Sequence, residues 1–425
     1  MAQLSDDCFA FGGPMMSVDE AVSIIAARVT AVQDIETVSL TAADGRILAK
    51  QISAPLPLPP FTNSAVDGYA VRSGDLAQVE EQEQEQEQEQ ALPVAGRVQA
   101  GAAAQGPIEP GHAVRIFTGA PMPQGADTVF MQEDVRLDQG RVVLPVGLKP
   151  GANVRMAGED IPAGHSALAA GQRLRPQDVA LVAAFGLTHV EVRRRIRVAV
   201  FSTGNELVSP GASRGAAQLF DSNRFMLMAM LVRLGCEVSD LGILGDDRVS
   251  LASALKSVAG TLDLILTTGG VSTGEEDHVK AAVESVGTLV LWRMAIKPGR
   301  PVAMGIIGGT PFIGLPGNPV ASFVTFVHVV RPTVLALAGA TQQHLIPMPV
   351  RAAFTYKKKI ARREYVRVNL RKGENGVLEA VKFPREGAGL LSSLVDTDGL
   401  VELGEEITLV EPGQTVGFLG YASLI

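Results

Sequence analysis

Cysteine is scarce in this chain of 425 residues, which contains two, Cys8 and Cys236. Two thiols make neither a disulfide framework nor a four-thiolate zinc site, and such scarcity is typical of a reducing compartment. The first residues carry Asp6 and Asp7 but no basic residue ahead of the apolar run, so no secretory signal is expected. The sequence therefore predicts a cytoplasmic protein.

An excess of basic residues is also lacking. The chain has 37 Lys and Arg against 45 Asp and Glu, a formal net charge of -8, which argues against a nucleic-acid partner. Six of the glutamates lie in the Glu-Gln run at 80–90, and without them the charge becomes -2. With no apolar residue to bury, this run is predicted to be a solvated insertion, and a functional acidic segment is the alternative.

No long apolar run is free of polar interruptions. The most apolar stretch, residues 320–340, contains His328, Arg331 and Pro332. These residues favour a buried core helix over a membrane span. We therefore expect no membrane partner.

Hydrophobic residues make up 46% of the chain, and its length is enough for roughly two to four domains. Ser17 and Glu20 predict the capped start of a helix, and short Val-rich runs over residues 91–145 predict a small β-domain. From Arg197 the chain alternates strand, loop and helix, which predicts a parallel sheet covered on both faces. After Gln342 short β-like segments return, so the fold class is multidomain α/β.

Loops rich in Gly, Ser and Thr follow several strands of the predicted sheet. Small residues let backbone N–H groups approach a phosphate, and the topology rule for such sheets places their loops at one crevice. They predict an anion or nucleotide site, although each loop alone is typical of a plain turn. The loop residues concerned are Ser202, Thr203, Gly204, Gly269, Gly270, Ser272, Pro316, Gly317, Asn318 and Pro319.

Charged side chains flank these loops. Asp246 and Asp277 could hold Mg²⁺ or could serve as acids at helix N-termini. Arg293, Lys297 and Arg300 surround a Pro-Gly turn, which suits an oxyanion better than a surface patch. A Ser-His-Asp order, HExxH and GxxxxGKS are all missing from the sequence, so hydrolase and P-loop functions are excluded.

Seven segments occur in order along the chain: PPFTNSAVDGYAVR, RIFTGAPMPQGADTVFMQED, GANVRMAGEDI, VAVFSTGNEL, TTGGVSTGEEDHVK, AIKPGRP and GLPGNPVASFVTF. Together they resemble the molybdopterin molybdenumtransferase family, which includes the E domain of gephyrin. The resemblance implies an enzyme that takes adenylylated molybdopterin and molybdate, releases AMP and inserts the metal into the dithiolene, with Mg²⁺ required.

The same resemblance implies an organisation of the chain. It comprises a discontinuous, elongated helical domain (17–56 and 147–192), a small β-domain (57–146), a molybdopterin-binding α/β domain (193–341) and a C-terminal β-domain (342–425). It also implies a homodimer whose site lies between the sheet domain of one subunit and the small β-domain of the other. Contacts with the upstream adenylyltransferase and with molybdoenzyme targeting factors are further implied partners.

Site residues follow from the resemblance as well. The implied catalytic residues are Asp67, Thr118, Asp160, Glu206, Asp246 and Asp277, of which Glu206, Asp246 and Asp277 are also the implied metal ligands. Substrate binding is assigned to the loop residues above and to five cations, Arg293, Lys297, Arg300, Arg363 and Arg367.

The chain departs from the family pattern at Asn205, Arg293, Arg300 and Ala388. Arg for Lys keeps the charge but presents a planar fork, and Ala388 removes a hydroxyl from one implied molybdate contact. Two other functions stay open. An adenylyltransferase would share the TTGG loop but not the Pro-rich N-terminal half, and a non-catalytic gephyrin-like scaffold would bind a receptor peptide.

Overall fold

The computed structural model describes residues 4–9, 15–76, 89–102, 106–270, 278–341, 344–374 and 376–425. Most of the Glu-Gln run therefore lies outside the described residues. The chain divides into two compact units. One comprises Met1–Lys50, Ala170–Val179 and His189–Ile425, and the other comprises Gln51–Ala169 and Ala180–Thr188. The four domain ranges expected from the sequence stay a prediction.

The first helix begins as the sequence predicts. The Ser17 side chain accepts a hydrogen bond from the Glu20 N–H, and the Glu20 carboxylate accepts one from the Ser17 N–H at 2.8 Å. This reciprocal pair satisfies two amide groups that a helix start leaves unbonded. The helices are α1 (Val18–Arg28), α2 (Pro176–Ala184), α3 (Asn223–Arg233), α4 (Arg248–Val258), α5 (His278–Val286), α6 (Pro319–Thr325), α7 (Arg331–Leu337), α8 (Ser392–Val395) and α9 (Tyr421–Leu424).

The predicted small β-domain is a six-stranded sheet in the order β7-β4-β6-β5-β9-β8. Successive side chains of a strand point to opposite faces of the sheet. Tyr69 and Phe130 accordingly lie in one apolar cluster, and Ile116 and Val129 lie in another. The strands of this half of the chain are β1 (Ile35–Ser39), β2 (Ile52–Ser53), β3 (Asn63–Ser64), β4 (Gly68–Val71), β5 (Gln90–Val98), β6 (Ala113–Ile116), β7 (Thr128–Met131), β8 (Arg136–Asp138), β9 (Arg141–Leu144), β10 (Val154–Arg155), β11 (Ser166–Leu168) and β12 (His189–Arg193).

The two segments predicted to form a discontinuous helical domain do pair across the sequence. β1 is antiparallel to β12, and β2 is antiparallel to β11. Both segments also contain strands, β1 and β2 in the first and β10, β11 and β12 in the second, because runs such as IETVS and HVEVR alternate polar and β-branched residues, which suit a ladder.

A six-stranded sheet in the order β16-β13-β17-β21-β20-β18 forms the α/β domain. Its first four strands are parallel, as predicted, but β20 pairs antiparallel with β21, and β18 pairs antiparallel with β20. A tight turn at Gly308 and Gly309, with φ of 56° and 82°, makes β20 and β21 a hairpin. The strands are β13 (Arg197–Thr203), β14 (Leu207–Val208), β15 (Leu219–Phe220), β16 (Glu237–Leu244), β17 (Leu264–Thr268), β18 (Thr288–Arg293), β19 (Ile296–Lys297), β20 (Pro301–Ile307) and β21 (Thr310–Leu315).

The C-terminal β-domain is a closed barrel. Strand β24 pairs with both β25 and β26, and β22 and β28 complete the ring. Strand β19 of the preceding domain lies parallel to the start of β24, with Ile296 opposite Arg363 and Lys297 opposite Glu364. The strands are β22 (Met348–Ala352), β23 (Tyr356–Lys357), β24 (Arg363–Lys372), β25 (Leu378–Lys382), β26 (Gly399–Leu403), β27 (Leu409–Val410) and β28 (Thr415–Gly420).

The apolar stretch near residue 320 is a core helix. Pro319–Leu337 forms one helical rod in which a π-helical turn, residues 326–330, separates α6 from α7. The rod is long and apolar enough to cross a membrane, but 89% of the apolar window is buried inside the protein. Its side chains share a cluster with α1 and with strands of the α/β sheet.

Candidate active site

A cleft of about 570 Å³ opens where the α/β sheet meets the barrel. The loops after β17 and β21 form one side, since parallel neighbours end at the same edge of a sheet. Strand β24 and the segment after β25 form the other side. Of the site residues expected from the sequence, the cleft is lined by Glu206, Gly269, Gly270, Lys297, Arg300, Pro316, Gly317, Asn318 and Arg367.

Helix α3 ties the two loops together. The Asn223 amide donates to Thr268 Oγ1 at 3.1 Å and to the Gly317 carbonyl at 2.7 Å. Thr268 Oγ1 in turn donates to the Pro316 carbonyl at 3.2 Å. One buried amide thus fixes the ends of β17 and β21 at the spacing that shapes the cleft.

Glycine is required at the end of β17. Gly270 has φ of 63°, and a Cβ there would lie 2.5 Å from Val279 Cγ2 and 2.8 Å from Thr203 Cγ2. A side chain at this position would therefore displace Val279 or Thr203 and with them the end of the loop that lines the cleft.

Lys297 is held by polar side chains of the barrel. Its ammonium lies 3.1 Å from Tyr356 Oη and 3.4 Å from Glu364 Oε2, and the Tyr356 hydroxyl donates to the same carboxylate at 2.7 Å. Arg362 pairs with the other oxygen at 2.6 Å. Burial and then Glu364 raise the pKa of Tyr356 above its usual range, so the hydroxyl stays protonated and can donate.

The cleft carries a positive excess. Five cations, Lys297, Arg300, Arg367, Lys382 and Arg385, face two acids, Glu206 and Glu386. Lys382 forms an ion pair with Glu386 at 2.8 Å, which neutralises part of its charge. Such a concentration of cations in a concave site attracts anions.

Arg367 has a donor to spare. Its Nη1 donates to the Gly387 carbonyl at 2.7 Å and to Ser393 Oγ at 3.1 Å. Its Nε is buried and has no hydrogen-bond partner among the described residues. Burial lowers the pKa of this guanidinium, and a bound anion would oppose that effect.

Several expected binding residues lie away from the cleft lining. Arg363 binds Asp19 at 2.9 Å and Glu405 at 3.1 Å instead. Arg293 is exposed at the end of β18. Ser202, Thr203, Gly204 and Pro319 are likewise outside the lining, the first two being buried in β13.

The expected metal ligands are only partly described. Asp246 Oδ1 accepts a long hydrogen bond from Thr203 Oγ1 at 3.4 Å, and Glu206 lines the cleft. Asp277 lies outside the described residues, as does Ser272. Within the described ranges no group of three or more His, Cys, Asp or Glu could hold a metal ion. The three-carboxylate set therefore stays a prediction.

Asp67 and Thr118 meet in the other unit, where Asp67 directly precedes β4 and Thr118 follows β6. The Thr118 N–H and hydroxyl both donate to Asp67 Oδ1 at 2.8 Å, and they lower the pKa of this carboxyl. Asp160 is exposed, and its N–H donates to the Leu58 carbonyl at 3.1 Å.

Sequence reasoning missed the contribution of the barrel. Tyr356, Lys382, Arg385 and Glu386 line the cleft, but none was expected at a site. The run VKFPREG, with cations on both sides of a proline directly after β25, resembles the KPGR turn in composition and could have indicated them.

Comparison with known proteins assigns the chain. The MoeA N-terminal region (domain I and II) matches residues 16–186, a probable molybdopterin binding domain matches 199–336, and the MoeA C-terminal region (domain IV) matches 349–420. A molybdopterin molybdenumtransferase of Haemophilus influenzae is 37% identical over 404 residues, covering 95% of this chain and 98% of that protein. The chain belongs to the molybdopterin molybdenumtransferase family.

Other members of the family agree with this assignment. A molybdopterin molybdenumtransferase 2 of Mycobacterium tuberculosis is 34% identical, covering 94% of this chain and 98% of that protein. Crystal structures of the molybdopterin biosynthesis MoeA protein from Pyrococcus horikoshii superpose with TM-scores of 0.72 at 31% identity and 0.79 at 28% identity. These two structures cover 95% and 96% of this chain and 98% and 100% of their own.

The family and the multidomain α/β fold expected from the sequence are thereby confirmed. As a member of the molybdopterin molybdenumtransferase family, the protein is a transferase with a role in molybdenum cofactor biosynthesis.

Proposed function

We propose that this transferase inserts molybdate into adenylylated molybdopterin and releases AMP in the cleft between the α/β sheet and the barrel. The observation that carries the proposal is the positive excess of that cleft, where five cations face two acids beside glycine-rich strand ends. Both proposed substrates are anions, and one of them has phosphates that backbone N–H groups can bind.

The chemistry requires little movement of protons by the protein. Water cleaves the phosphoanhydride, which gives AMP and the pterin phosphate. The two dithiol sulfurs replace one oxide of molybdate, which leaves as water. Lys297, Arg367 and Arg300 would neutralise the oxyanions during both steps, and in the proposed homodimer Asp67 or Asp160 of the partner subunit would position water.

Mg²⁺ suits the acids of this site. Glu206 and Asp246 offer oxygen ligands, and neither forms an ion pair with another described residue. Mg²⁺ binds through one or two carboxylates together with phosphate oxygens and waters, and it would neutralise phosphoryl charge when bound. Asp277 would complete the set.

We further propose a cytoplasmic homodimer. Contacts with the upstream adenylyltransferase and with molybdoenzyme targeting factors would deliver the pterin and remove the product. Free Cys8 and Cys236, both buried, support a reducing compartment.

Turnover of the purified protein tests the proposal. With adenylylated molybdopterin, molybdate and Mg²⁺, the wild-type protein should release AMP and yield a cofactor that activates an apo-molybdoenzyme. Lys297→Ala should lose this activity, whereas Lys256→Ala, on the exposed face of α4, should keep it.

Two results would count against molybdenum insertion. One is a wild-type protein that neither releases AMP nor forms active cofactor. The other is consumption of ATP with free molybdopterin, which would indicate an adenylyltransferase.

A further inference from the structure

A second cavity, of about 730 Å³, lies on another face of the same unit. Its walls are α1, the α6–α7 rod and the edge of the barrel, and it shares no lining residue with the cleft described above. Val22 and Ile25 of α1 and Val29, which follows that helix, face Leu335 and Ala336 of α7 across it. The walls are therefore largely apolar.

Arg331 is a buried cation in this cavity. It is 9% exposed, and it has neither an acidic partner nor a hydrogen bond among the residues that the structure describes. Burial, and then the charge of Arg173, lower the pKa of its guanidinium. A counter-charge would stabilise a cation so largely removed from bulk water, and the described residues supply none.

His328 stands three residues before Arg331 and lines the same cavity. It is 5% exposed, and its Nε2 is buried with no hydrogen-bond partner in the described part of the chain. Burial and then the nearby Arg363 lower its pKa to about 3, so the ring is neutral at physiological pH. In the tautomer that carries the proton on Nε2, it can donate one hydrogen bond.

The acids at the rim do not supply the missing charge. Asp19 and Glu402 line the cavity, but both form ion pairs with Arg363, at 2.9 Å and 3.9 Å respectively. Glu402 also accepts from the Tyr365 hydroxyl at 3.0 Å. With these acids committed, the charge of Arg331 stays uncompensated.

We propose that this cavity binds an amphipathic organic anion, with one carboxylate on Arg331 and His328 and an apolar body between α1 and α7. Guanidinium binds a carboxylate through two parallel hydrogen bonds, and a volume of this order holds a molecule of drug size. The site is independent of the proposed insertion of molybdate, since none of its residues lines the cleft.

Decanoate, decanol and decylamine make a matched set of probes, because they differ in the head group alone. Isothermal titration of the full-length protein, below micelle-forming concentrations, should show saturable binding of decanoate. Decanol should bind at least about tenfold more weakly, which is the factor for losing a charge-assisted hydrogen bond, and decylamine should not bind.

Arg331→Met tests the anchor, because Met keeps the apolar stem and removes the charge. Decanoate affinity should fall at least about tenfold and become equal to that of decanol. Arg351→Met, on the exposed face of β22, is the matched control and should bind as the wild type does. If Arg331→Met does not fold, Arg331→Lys and His328→Phe replace it, with partial and reduced binding expected.

Three outcomes would overturn the proposal. They are the absence of saturable decanoate binding to the wild-type protein, equal affinity for decanoate and decanol, and undiminished decanoate affinity in Arg331→Met. A loss of AMP release without a change in decanoate binding would concern the cleft alone and would leave this site standing.

Discussion

Glu364→Gln tests how the barrel holds Lys297 in the cleft. The carboxylate is 1% exposed and is shared by Arg362 at 2.6 Å, Lys297 at 3.4 Å and Tyr356 at 2.7 Å. Glutamine keeps the shape and removes the charge, and breaking a buried ion pair costs about 3 to 5 kcal/mol. Because Arg362 and Lys297 are 29% and 45% exposed, water offsets part of this loss, and we expect about 2 kcal/mol.

Urea denaturation gives the change in the free energy of unfolding, and substrate titration gives KM and kcat. We expect KM for the oxyanion substrate to rise more than kcat falls, because the freed Lys297 still reaches the cleft. Glu379→Gln is the control, since that carboxylate pairs with Arg371 at 2.9 Å on the exposed side of the same barrel. A Glu364→Gln protein within about 0.5 kcal/mol of the wild type would refute the reasoning, as would an equal effect of Glu379→Gln.

Three further predictions concern other elements. Gly270→Ala should lower turnover at least about tenfold. Gly308→Ala is the control, because Gly308 is also at positive φ but its nearest neighbour is 3.7 Å away. This control should lose only about 1 to 2 kcal/mol of stability, the cost of left-handed backbone, and should keep the turnover of the wild type. Asp67→Asn should abolish AMP release with an unchanged urea midpoint, and unchanged turnover would revive the scaffold function. Although burial opposes it, hydrogen bonding from Arg194 lowers the pKa of buried Asp263. The stabilisation from this pair should therefore be complete above about pH 4 and decline as the pH falls through the lowered pKa, and Asp263→Asn should flatten that acid limb.

Local signals in the sequence predicted local structure. The Ser17 and Glu20 capping box is present, and the loops after β17 and β21 meet in one cleft because strand order alone decides which loops share an edge. The hairpin at Gly308 and Gly309 was missed although its signal is local, since a Gly-Gly pair between apolar runs is typical of a tight turn. This Gly-Gly pair would have predicted a hairpin, and therefore an antiparallel strand in the sheet.

The barrel side of the cleft could not be predicted in the same way. Tyr356 and Glu364 reach Lys297 because β24 lies parallel to β19, a pairing between positions 67 residues apart along the chain. Arg363 binds Asp19, which is 344 residues away in sequence. Periodicity indicates which face of a strand is buried, but it carries no information about which distant strand lies beside it.

The pairing of β19 with β24 also limits how the domains of this protein can be exchanged. Although β19 belongs to the α/β domain by sequence, its backbone hydrogen bonds extend the sheet of the barrel. The family match that ends at residue 336 and the one that begins at 349 suggest two exchangeable modules. The strand that carries Lys297 contradicts that modularity, because grafting a foreign barrel onto this chain would replace both the backbone partner and the side-chain anchors of Lys297 together.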